Sequence, residues 1–245
     1  MEAECKIKVH TLLISDIHLR SPNCRAKLLL DTIDGYCFKV LIIVGDLIED
    51  DQVSLDDMEM NLHQFRFIQY LWDRLKSGKT IIRIGGNHDF SGSDAINKIL
   101  EIETLKGYRW KIKGRKFCAI HGHKFDRFIF KNPWLSKIIS CIFLFLQRID
   151  TKKRFFTRMI DGFHNRWFRL TEVVSQAAMK FAHRKGIDVI FCGHTHEAIK
   201  LTSAKGNHIV EYFNCGDWTG YNCAFITITK DAIVELHTLP VNKII

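Results

Sequence analysis

Short apolar runs that end at polar residues recur along this chain. The runs HTLLIS, VLIIVG, TIIRIGG, KFCAIHG and DVIFCG are rich in β-branched or aromatic residues and are only a few residues long. That length and composition favour buried strands over helices. Between the first runs lie CRAKLLLDTIDGY and MNLHQFRFIQYLWDRLKSG, which have helical character, and the second ends at Gly78. Strands that alternate with helices predict an α/β layered fold.

The pattern changes between about residues 125 and 181. The strand pattern stops there, and the segment is rich in Phe, Trp, Arg and Lys. We predict a helical insertion of two or three helices, broken at Pro133 and around residues 150–153. The strand pattern returns after Ile187 in HIVEYFNCGDW, AFITIT and AIVELHTL. We therefore predict one domain over residues 1–245 that carries a helical cap at 125–181.

Composition narrows the cellular setting and the partners. A hydrophobic content of 47% over 245 residues is enough for one packed core, and the net charge of +9 indicates an anionic partner such as nucleic acid, a phosphorylated substrate or an acidic membrane surface. The eight cysteines form no CxxC pair, which is typical of reduced thiols in the cytosol. The charged N-terminus lacks the apolar core of a signal peptide, and no apolar run reaches the roughly 18 residues of a membrane-spanning helix. We expect a cytoplasmic protein.

Potential metal ligands follow five of the apolar runs. They are Asp16 and His18, Asp46, Asn87 and His88, His121 and His123, and His194 and His196. Oxygen and imidazole donors without thiolates suit Mn²⁺, Fe or Zn²⁺ better than Ca²⁺ or Cu⁺. In SDIH and GHTH, alternation along a strand end would place both side chains on one side. Any one of these residues is more often a turn or core residue, but the whole set predicts a site for two metal ions.

The motifs SDIHL, VGDLIED, GGNHDF, IHGHKFD and CGHTHE match, in order, those of the calcineurin-like metallophosphoesterases. The sequence resembles this family from about residue 10 to residue 200. The resemblance implies a layered β-sandwich flanked by helices. It also implies one metal held by Asp16, His18, Asp46 and His196. The second would be held by Asp46, Asn87, His121 and His194, with Asp46 bridging. His88 would be the catalytic residue that faces the phosphate, and His123 is left over as a supporting residue.

The chemistry expected of such a centre is hydrolysis of a phosphoester. Two divalent ions about 3.5–4 Å apart clamp phosphate oxygens and lower the pKa of a bridging water, whose hydroxide attacks phosphorus. We expect Mn²⁺ first, with Fe or Zn²⁺ as alternatives. His88 would stabilise the developing charge and can protonate the leaving oxygen. Asp89 is expected either to orient His88 through a hydrogen bond or to serve as a solvated or capping residue.

One branch of the family resembles this chain more than the others. The stretches SDIHLRSPNCRAKLLLDTI and YFNCGDWTGYNCAFITI resemble the UDP-2,3-diacylglucosamine pyrophosphatases of lipid A biosynthesis. The insertion after HGHKFD lies where those enzymes carry a cap that holds acyl chains. This resemblance implies release of UMP and 2,3-diacylglucosamine 1-phosphate, although the best-known pyrophosphatases carry Arg in place of His88. We expect substrate contacts from Arg20, Asp89, Arg127, Trp134, Arg166 and Trp167.

The insertion combines basic and aromatic residues, as segments that attach to anionic lipid do. We therefore expect a lipid-linked nucleotide-sugar substrate and peripheral association with the cytoplasmic face of the inner membrane. A phosphodiesterase or phosphatase for a soluble nucleotide or a phosphoprotein is the alternative enzyme. A nucleic-acid-binding protein is the alternative of another class, since basic and aromatic side chains also hold single strands. The many aliphatic residues of the insertion argue against nucleic acid, and the complete ligand set argues against a non-catalytic scaffold.

Overall fold

The computed structural model of the chain describes residues 7–49, 60–89, 95–126, 155–220 and 222–240, with backbone alone at 95–97, 155–169, 222 and 240. In chain order the elements are β1 (Ile7–Lys8), β2 (Thr11–Ile14), α1 (Ala26–Ile33), β3 (Tyr36–Cys37), β4 (Val40–Val44), α2 (Leu62–Lys76), β5 (Thr80–Ile84), α3 (Ala95–Leu100), β6 (Thr104–Leu105), β7 (Tyr108–Ile112), β8 (Arg115–Ala119), a 3₁₀ turn (His123–Phe125), α4 (Phe155–Lys185), β9 (Val189–Cys192), β10 (Ile199–Lys205), β11 (His208–Asn214), β12 (Asn222–Ile228) and β13 (Val234–Pro240).

Two mixed sheets form the centre of the fold. The larger sheet has the order β13-β12-β2-β4-β5-β6, and the smaller has the order β10-β11-β9-β8-β7. Strands β2, β4, β5 and β6 are parallel, as are β8, β9 and β11. Strands β12 and β13 extend one sheet antiparallel, and β7 and β10 extend the other. The parallel strands of each sheet therefore end at a common edge.

The sheets pack face to face because their strands are apolar on both sides. In β2, Leu13 faces the smaller sheet, where it joins a core with Phe117 and Phe191, whereas Leu12 and Ile14 face the helices. This alternation follows from the two-residue repeat of a strand. The same arrangement in β4 makes both faces of the larger sheet apolar, as expected of a parallel sheet covered on both sides.

Helices cover the outer faces of the sandwich. Helices α1 and α2 pack on the larger sheet through residues such as Leu29 and Phe67. Helix α2 starts at a capping box, in which the Asn61 side chain accepts from the Gln64 amide and the Gln64 side chain accepts from the Asn61 amide. Helix α4 covers the smaller sheet through Ala178 and its neighbours. The predicted layered fold, a sandwich flanked by helices, is confirmed.

The structure refines several expected elements. The predicted strands and the first two helices are all present, and the structure adds helix α3 and the strands β1, β3, β6, β7 and β10. Helix α4 continues to Lys185, beyond the expected end of the insertion at residue 181. The predicted breaks at Pro133 and 150–153 lie outside the described residues, so the cap stays a prediction. Among the described helices, none combines the length and apolar character that crossing a bilayer requires.

A buried ion pair links strand β5 to the loop that follows it. Arg83 Nη2 lies 3.0 Å from Asp89 Oδ1, and both side chains are at most 1% exposed. Asp89 also accepts from the amides of Leu47 (3.4 Å), Ile48 (3.3 Å) and Gly86 (3.0 Å). The bonds to Leu47 and Ile48 connect the loop after β4 to the loop after β5. Together these loops carry four of the predicted site residues, Asp46, Asn87, His88 and Asp89.

We expect Arg83→Met to destabilise the fold by about 3–5 kcal/mol, because it leaves the Asp89 carboxylate buried without its cation. Urea unfolding measures this loss. Lys27→Met is the matched control, since its partner Asp31 is 59% exposed and such surface pairs contribute about 1 kcal/mol or less. The double variant Arg83→Met with Asp89→Asn should recover part of the loss. An Arg83→Met protein as stable as the control would contradict the assignment.

Candidate metal centre

The predicted ligands converge where the carboxyl edges of both sheets meet. Asp16 and His18 follow β2, Asp46 follows β4, and Asn87 follows β5. The histidines of HGH and GHTH follow β8 and β9 of the other sheet. His121 Nδ1 lies 2.8 Å from the Val44 carbonyl oxygen, which joins the two edges directly. The order of the parallel strands thus brings five distant segments together.

Backbone conformation, more than strand alternation, aims these side chains. Asp16, His18, Asp46, His194 and His196 all have positive φ, between 49° and 72°. Non-glycine residues rarely adopt this left-handed region, and each such residue costs on the order of 1 kcal/mol or more. Alternation along a strand end was expected to place the two side chains of each Asp-x-His or His-x-His motif on one side. The structure shows instead that left-handed turns, just after the strands end, orient these side chains. Strain of this kind concentrates at functional sites.

The loops after β2 and β4 run side by side and hold the two aspartates together. The amides of Asp16 and His18 donate to the carbonyls of Gly45 (3.1 Å) and Asp46 (3.0 Å). At Gly45, whose φ is +89°, a Cβ would collide with the His121 ring. At Gly86 a Cβ would collide with the Asp46 carboxylate. These two glycines are needed because the ligands lie against the backbone itself.

One cluster of donor atoms comprises Asp16, His18 and His196. Asp16 Oδ1 lies 3.2 Å from His196 Nε2 and 3.9 Å from His18 Nε2. The two Nε2 atoms are 3.4 Å apart. All three donor atoms lie within 4.8 Å of one another, as the ligands of a single ion do.

A second cluster comprises Asp16, Asp46 and His121, and Asn87 adjoins it. His121 Nε2 lies 3.1 Å from Asp46 Oδ2 and 3.1 Å from Asn87 Oδ1. Asp46 Oδ2 is also 4.0 Å from His18 Nε2, which belongs to the first cluster. Asp16 thus belongs to both clusters, and the Asp46 carboxylate of the second cluster also lies near the first, as the resemblance implied for a bridging ligand.

His194 occupies a different place from the other histidines. Its backbone amide donates to both Asp16 oxygens, at 3.2 and 3.0 Å, and its ring lies 5.4 Å from that of His121. Its Nε2 lies 3.3 Å from Asp126 Oδ2. Within the described residues, the compact donor clusters do not include the His194 side chain. Its Nδ1 is the nitrogen left for a ligand role.

Oxygen atoms hold the outer nitrogens of the remaining histidines. His18 Nδ1 is 2.6 Å from Glu49 Oε2, and His196 Nδ1 is 3.3 Å from Asp217 Oδ2. His121 Nδ1 contacts a carbonyl oxygen, as described above. Metal-binding histidines usually have such a partner on the second nitrogen, because it fixes the ring and leaves the first nitrogen basic. This donor set fits divalent cations.

The electrostatics of the centre also fit cations. Burial opposes ionisation of Asp46, yet His121 and His88 outweigh it and hold the pKa of Asp46 well below its ordinary value. Burial opposes the charge on His121 as well, but Asp46 and Asp16 raise the pKa of its ring to about 9. The buried carboxylates of Asp16 and Asp46 are therefore stabilised by nearby positive charge, which bound metal ions would provide.

His88 lies at the edge of the clusters, and its orienting partner differs from the expected one. Its Nδ1 contacts Glu49 Oε1 at 2.9 Å, and its amide donates to Asp46 Oδ1 at 2.9 Å. Asp89 does not supply the hydrogen bond to His88 that was one of its expected roles, because its carboxylate is bound by Arg83 and by backbone amides. Burial lowers the pKa of the His88 ring, but Asp46 and Glu49 together raise it to about 9.

Three residues that contact the histidine rings of the centre were not predicted from the sequence, although they lie within its motifs. Glu49, Asp126 and Asp217 each lie in a quoted motif, VGDLIED, HGHKFD and GDW, yet only the folded chain places them on histidine rings. His123 supplies no donor atom to the compact clusters among the described residues. Burial, followed by His121 and His194, lowers the pKa of His123 to about 3, and its buried Nδ1 has no hydrogen-bond partner there.

The expected substrate contacts are only partly described. Arg20 lies next to the site, where its Nη1 donates to the Glu49 carbonyl at 3.0 Å. Arg127 and Trp134 lie outside the described residues. Arg166 and Trp167 belong to α4, but their side chains are not among the described ones.

Comparison with known proteins places the chain in a family. A model of the calcineurin-like phosphoesterases matches residues 9–198, well over half of the chain, and this range includes all the predicted ligands. A search of curated proteins finds no match.

Solved structures similar to this chain include an archaeal phosphodiesterase, at 17% identity over 94% of this chain and 99% of that one, with a TM-score of 0.49. They also include the phosphoesterase YfcE from E. coli, at 15% identity over 95% and 99%, with a TM-score of 0.46. A zinc complex of Vps29 from Entamoeba histolytica is 15% identical over 95% and 99%, with a TM-score of 0.45. The assignment rests on the sequence match, and by it the chain belongs to the calcineurin-like phosphoesterases, which are metal-dependent phosphoester hydrolases.

Proposed function

We propose that the centre binds two divalent ions that share Asp46. The first ion would take Asp16, His18 and His196, and the second Asn87, His121 and His194. The observation that carries this proposal is the position of Asp46 Oδ2, which lies 4.0 Å from His18 Nε2 and 3.1 Å from His121 Nε2. Mn²⁺ is our first choice of metal, with Fe or Zn²⁺ as alternatives, because carboxylate, amide and imidazole ligands suit all three.

Bound divalent ions supply Lewis-acid stabilisation of phosphoryl oxygens and an ionised water. The chain itself supplies the general acid. Glu49 holds His88 through Nδ1, so Nε2 is the nitrogen left to donate a proton to the leaving oxygen. Bound cations would offset the effect of Asp46 on the pKa of His88, but the Glu49 contact would continue to favour the imidazolium.

Arg20 is a candidate for binding a substrate phosphate. It has a left-handed backbone, with φ of 76°, and its guanidinium lies beside the Glu49 carbonyl. Glu49 also contacts both His18 and His88, so Arg20 adjoins the residues that we assign to metal binding and proton transfer. A guanidinium there suits a second phosphate of a pyrophosphate substrate.

For the substrate, we propose UDP-2,3-diacylglucosamine, cleaved at its pyrophosphate to UMP and 2,3-diacylglucosamine 1-phosphate. Support comes from the resemblance of two stretches to that branch of the family and from the basic, aromatic segment between β8 and β9. The net charge of +9 favours an anionic lipid surface as the place of action. The cap over residues 125–181 would receive the acyl chains.

The purified chain loaded with Mn²⁺ should release UMP from UDP-2,3-diacylglucosamine presented in mixed micelles. Chromatographic measurement of UMP tests this, with Zn²⁺- and Fe²⁺-loaded protein assayed in parallel. Bis-p-nitrophenyl phosphate is the control substrate, because it requires the metal centre but no acyl chain. Hydrolysis of the control substrate without UMP release would refute the lipid substrate and favour a soluble phosphoester.

A further inference from the structure

A second imidazole cluster lies where the last turn of α4 meets the β10–β11 hairpin. His183 of α4 and His208 of β11 have their Nδ1 atoms 3.3 Å apart, and their rings are inclined at 84°. His208 begins β11, whereas Asn214 at the other end of that strand donates to the Gly193 carbonyl beside the metal centre. At about 3.3 Å per residue, the two clusters are separated by roughly 20 Å.

A hydrogen bond to a carboxylate indicates which nitrogen of the His208 ring carries the lone pair. His208 Nε2 lies 3.3 Å from Asp188 Oδ1. An ionised carboxylate only accepts, so Nε2 carries the hydrogen and Nδ1 of the neutral ring presents a lone pair to His183. His183 Nε2 lies 3.2 Å from Ser203 Oγ, and a hydroxyl either accepts or donates, so this contact is compatible with both tautomers of His183. With the hydrogen on Nε2 of His183, two Nδ1 lone pairs face each other at 3.3 Å, and a cation between them makes that arrangement favourable.

The spacing matches what one tetrahedral ion requires. Zinc binds imidazole nitrogen at about 2.0–2.1 Å, so two nitrogens on a tetrahedral zinc lie roughly 3.3 Å apart. The observed separation of the two Nδ1 atoms is 3.3 Å. Asp188 occupies the position of the carboxylate that commonly orients a metal-bound histidine.

We propose that His183 and His208 bind a divalent transition-metal ion through their Nδ1 atoms. Zn²⁺ is the expected ion, and Cu²⁺ and Ni²⁺ are the alternatives. Asp188 and Ser203 orient the rings, and water completes the coordination. The ion cross-links the C-terminal turn of α4 to the hairpin. Because the ion would bind the folded chain more tightly than the unfolded chain, it would also stabilise the fold, by an amount that grows with the logarithm of its concentration.

Metal-stripped protein titrated with Zn²⁺, with bound zinc measured by mass spectrometry after equilibrium dialysis, tests the site. His183→Gln and His208→Gln should each bind one zinc fewer per chain than the wild type, while hydrolysis of bis-p-nitrophenyl phosphate stays unchanged. His63→Gln, on α2 and outside both clusters, is the control and should bind as much zinc as the wild type. If either His183→Gln or His208→Gln fails to fold, the other variant still tests the site.

Asp188→Asn adds an independent readout of the site. It keeps both ligands but weakens the acceptor on His208, so zinc affinity at this site should fall about 10–100-fold while the stoichiometry at saturation is retained. Equal zinc content and equal affinity in the wild type and all three site variants would overturn the proposal and leave an ordinary histidine–histidine hydrogen bond.

Discussion

Asp46→Asn should remove both bound metal and turnover, with a fall in kcat/KM of at least about 10³-fold for a simple phosphodiester. The expected size follows because the metal ions supply several kcal/mol of transition-state stabilisation, and each 1.4 kcal/mol is a factor of ten. Asparagine is chosen because it retains an acceptor for the His88 amide, which Asp46 Oδ1 binds at 2.9 Å. The loops should therefore remain folded while the shared charged ligand is lost.

Metal content per chain and steady-state rates are measured on the same preparations. Asp31→Asn is the control, since this aspartate is 59% exposed and pairs only with Lys27 on α1 in the described structure. It should retain metal and rate. An Asp46→Asn protein with full metal content and normal turnover would show that the two ions do not share this ligand.

His88→Ala should have the second largest effect on catalysis. Loss of a general acid or of charge stabilisation typically lowers turnover by about 10²–10⁴-fold, and the bound metal should be retained because His88 lies outside the proposed ligand set. Glu49→Gln should lower turnover less, by about 10–100-fold, since it weakens the contacts that orient His88 and His18. Measurement of kcat and of metal content for both variants separates the role of His88 in proton transfer from a role in metal binding.

The same experiment decides between two arrangements of the site. Donor atoms of His18, Glu49 and His88 also lie within 4.8 Å of one another, so these three residues form a third possible cation cluster. If His88→Ala empties one metal position, an ion is held there and the assignment of His88 as acid is wrong. If metal stays and only turnover falls, Glu49 is a positioning residue for His88.

Much of the fold was predictable because local patterns and packing agree. Each buried strand of the parallel core is an apolar run that ends at a polar residue, and parallel strands present their ends at one edge. Strand β6 spans only Thr104–Leu105, and β7 has alternate exposed residues, so neither stands out as an apolar run. Their pairing is decided by neighbouring strands rather than by their own composition.

The sequence by itself determined the layered fold, the family and the set of side chains that gather at the centre. Only the tertiary structure decided how those side chains are aimed and what supports them. Left-handed turns orient Asp16 and Asp46, and Glu49 takes the place expected for Asp89 because Arg83 neutralises Asp89 in the interior. The second histidine pair likewise joins residues far apart in sequence. The physical reason is that secondary structure follows local periodicity, whereas pairing of buried charges and imidazoles depends on which chain segments meet.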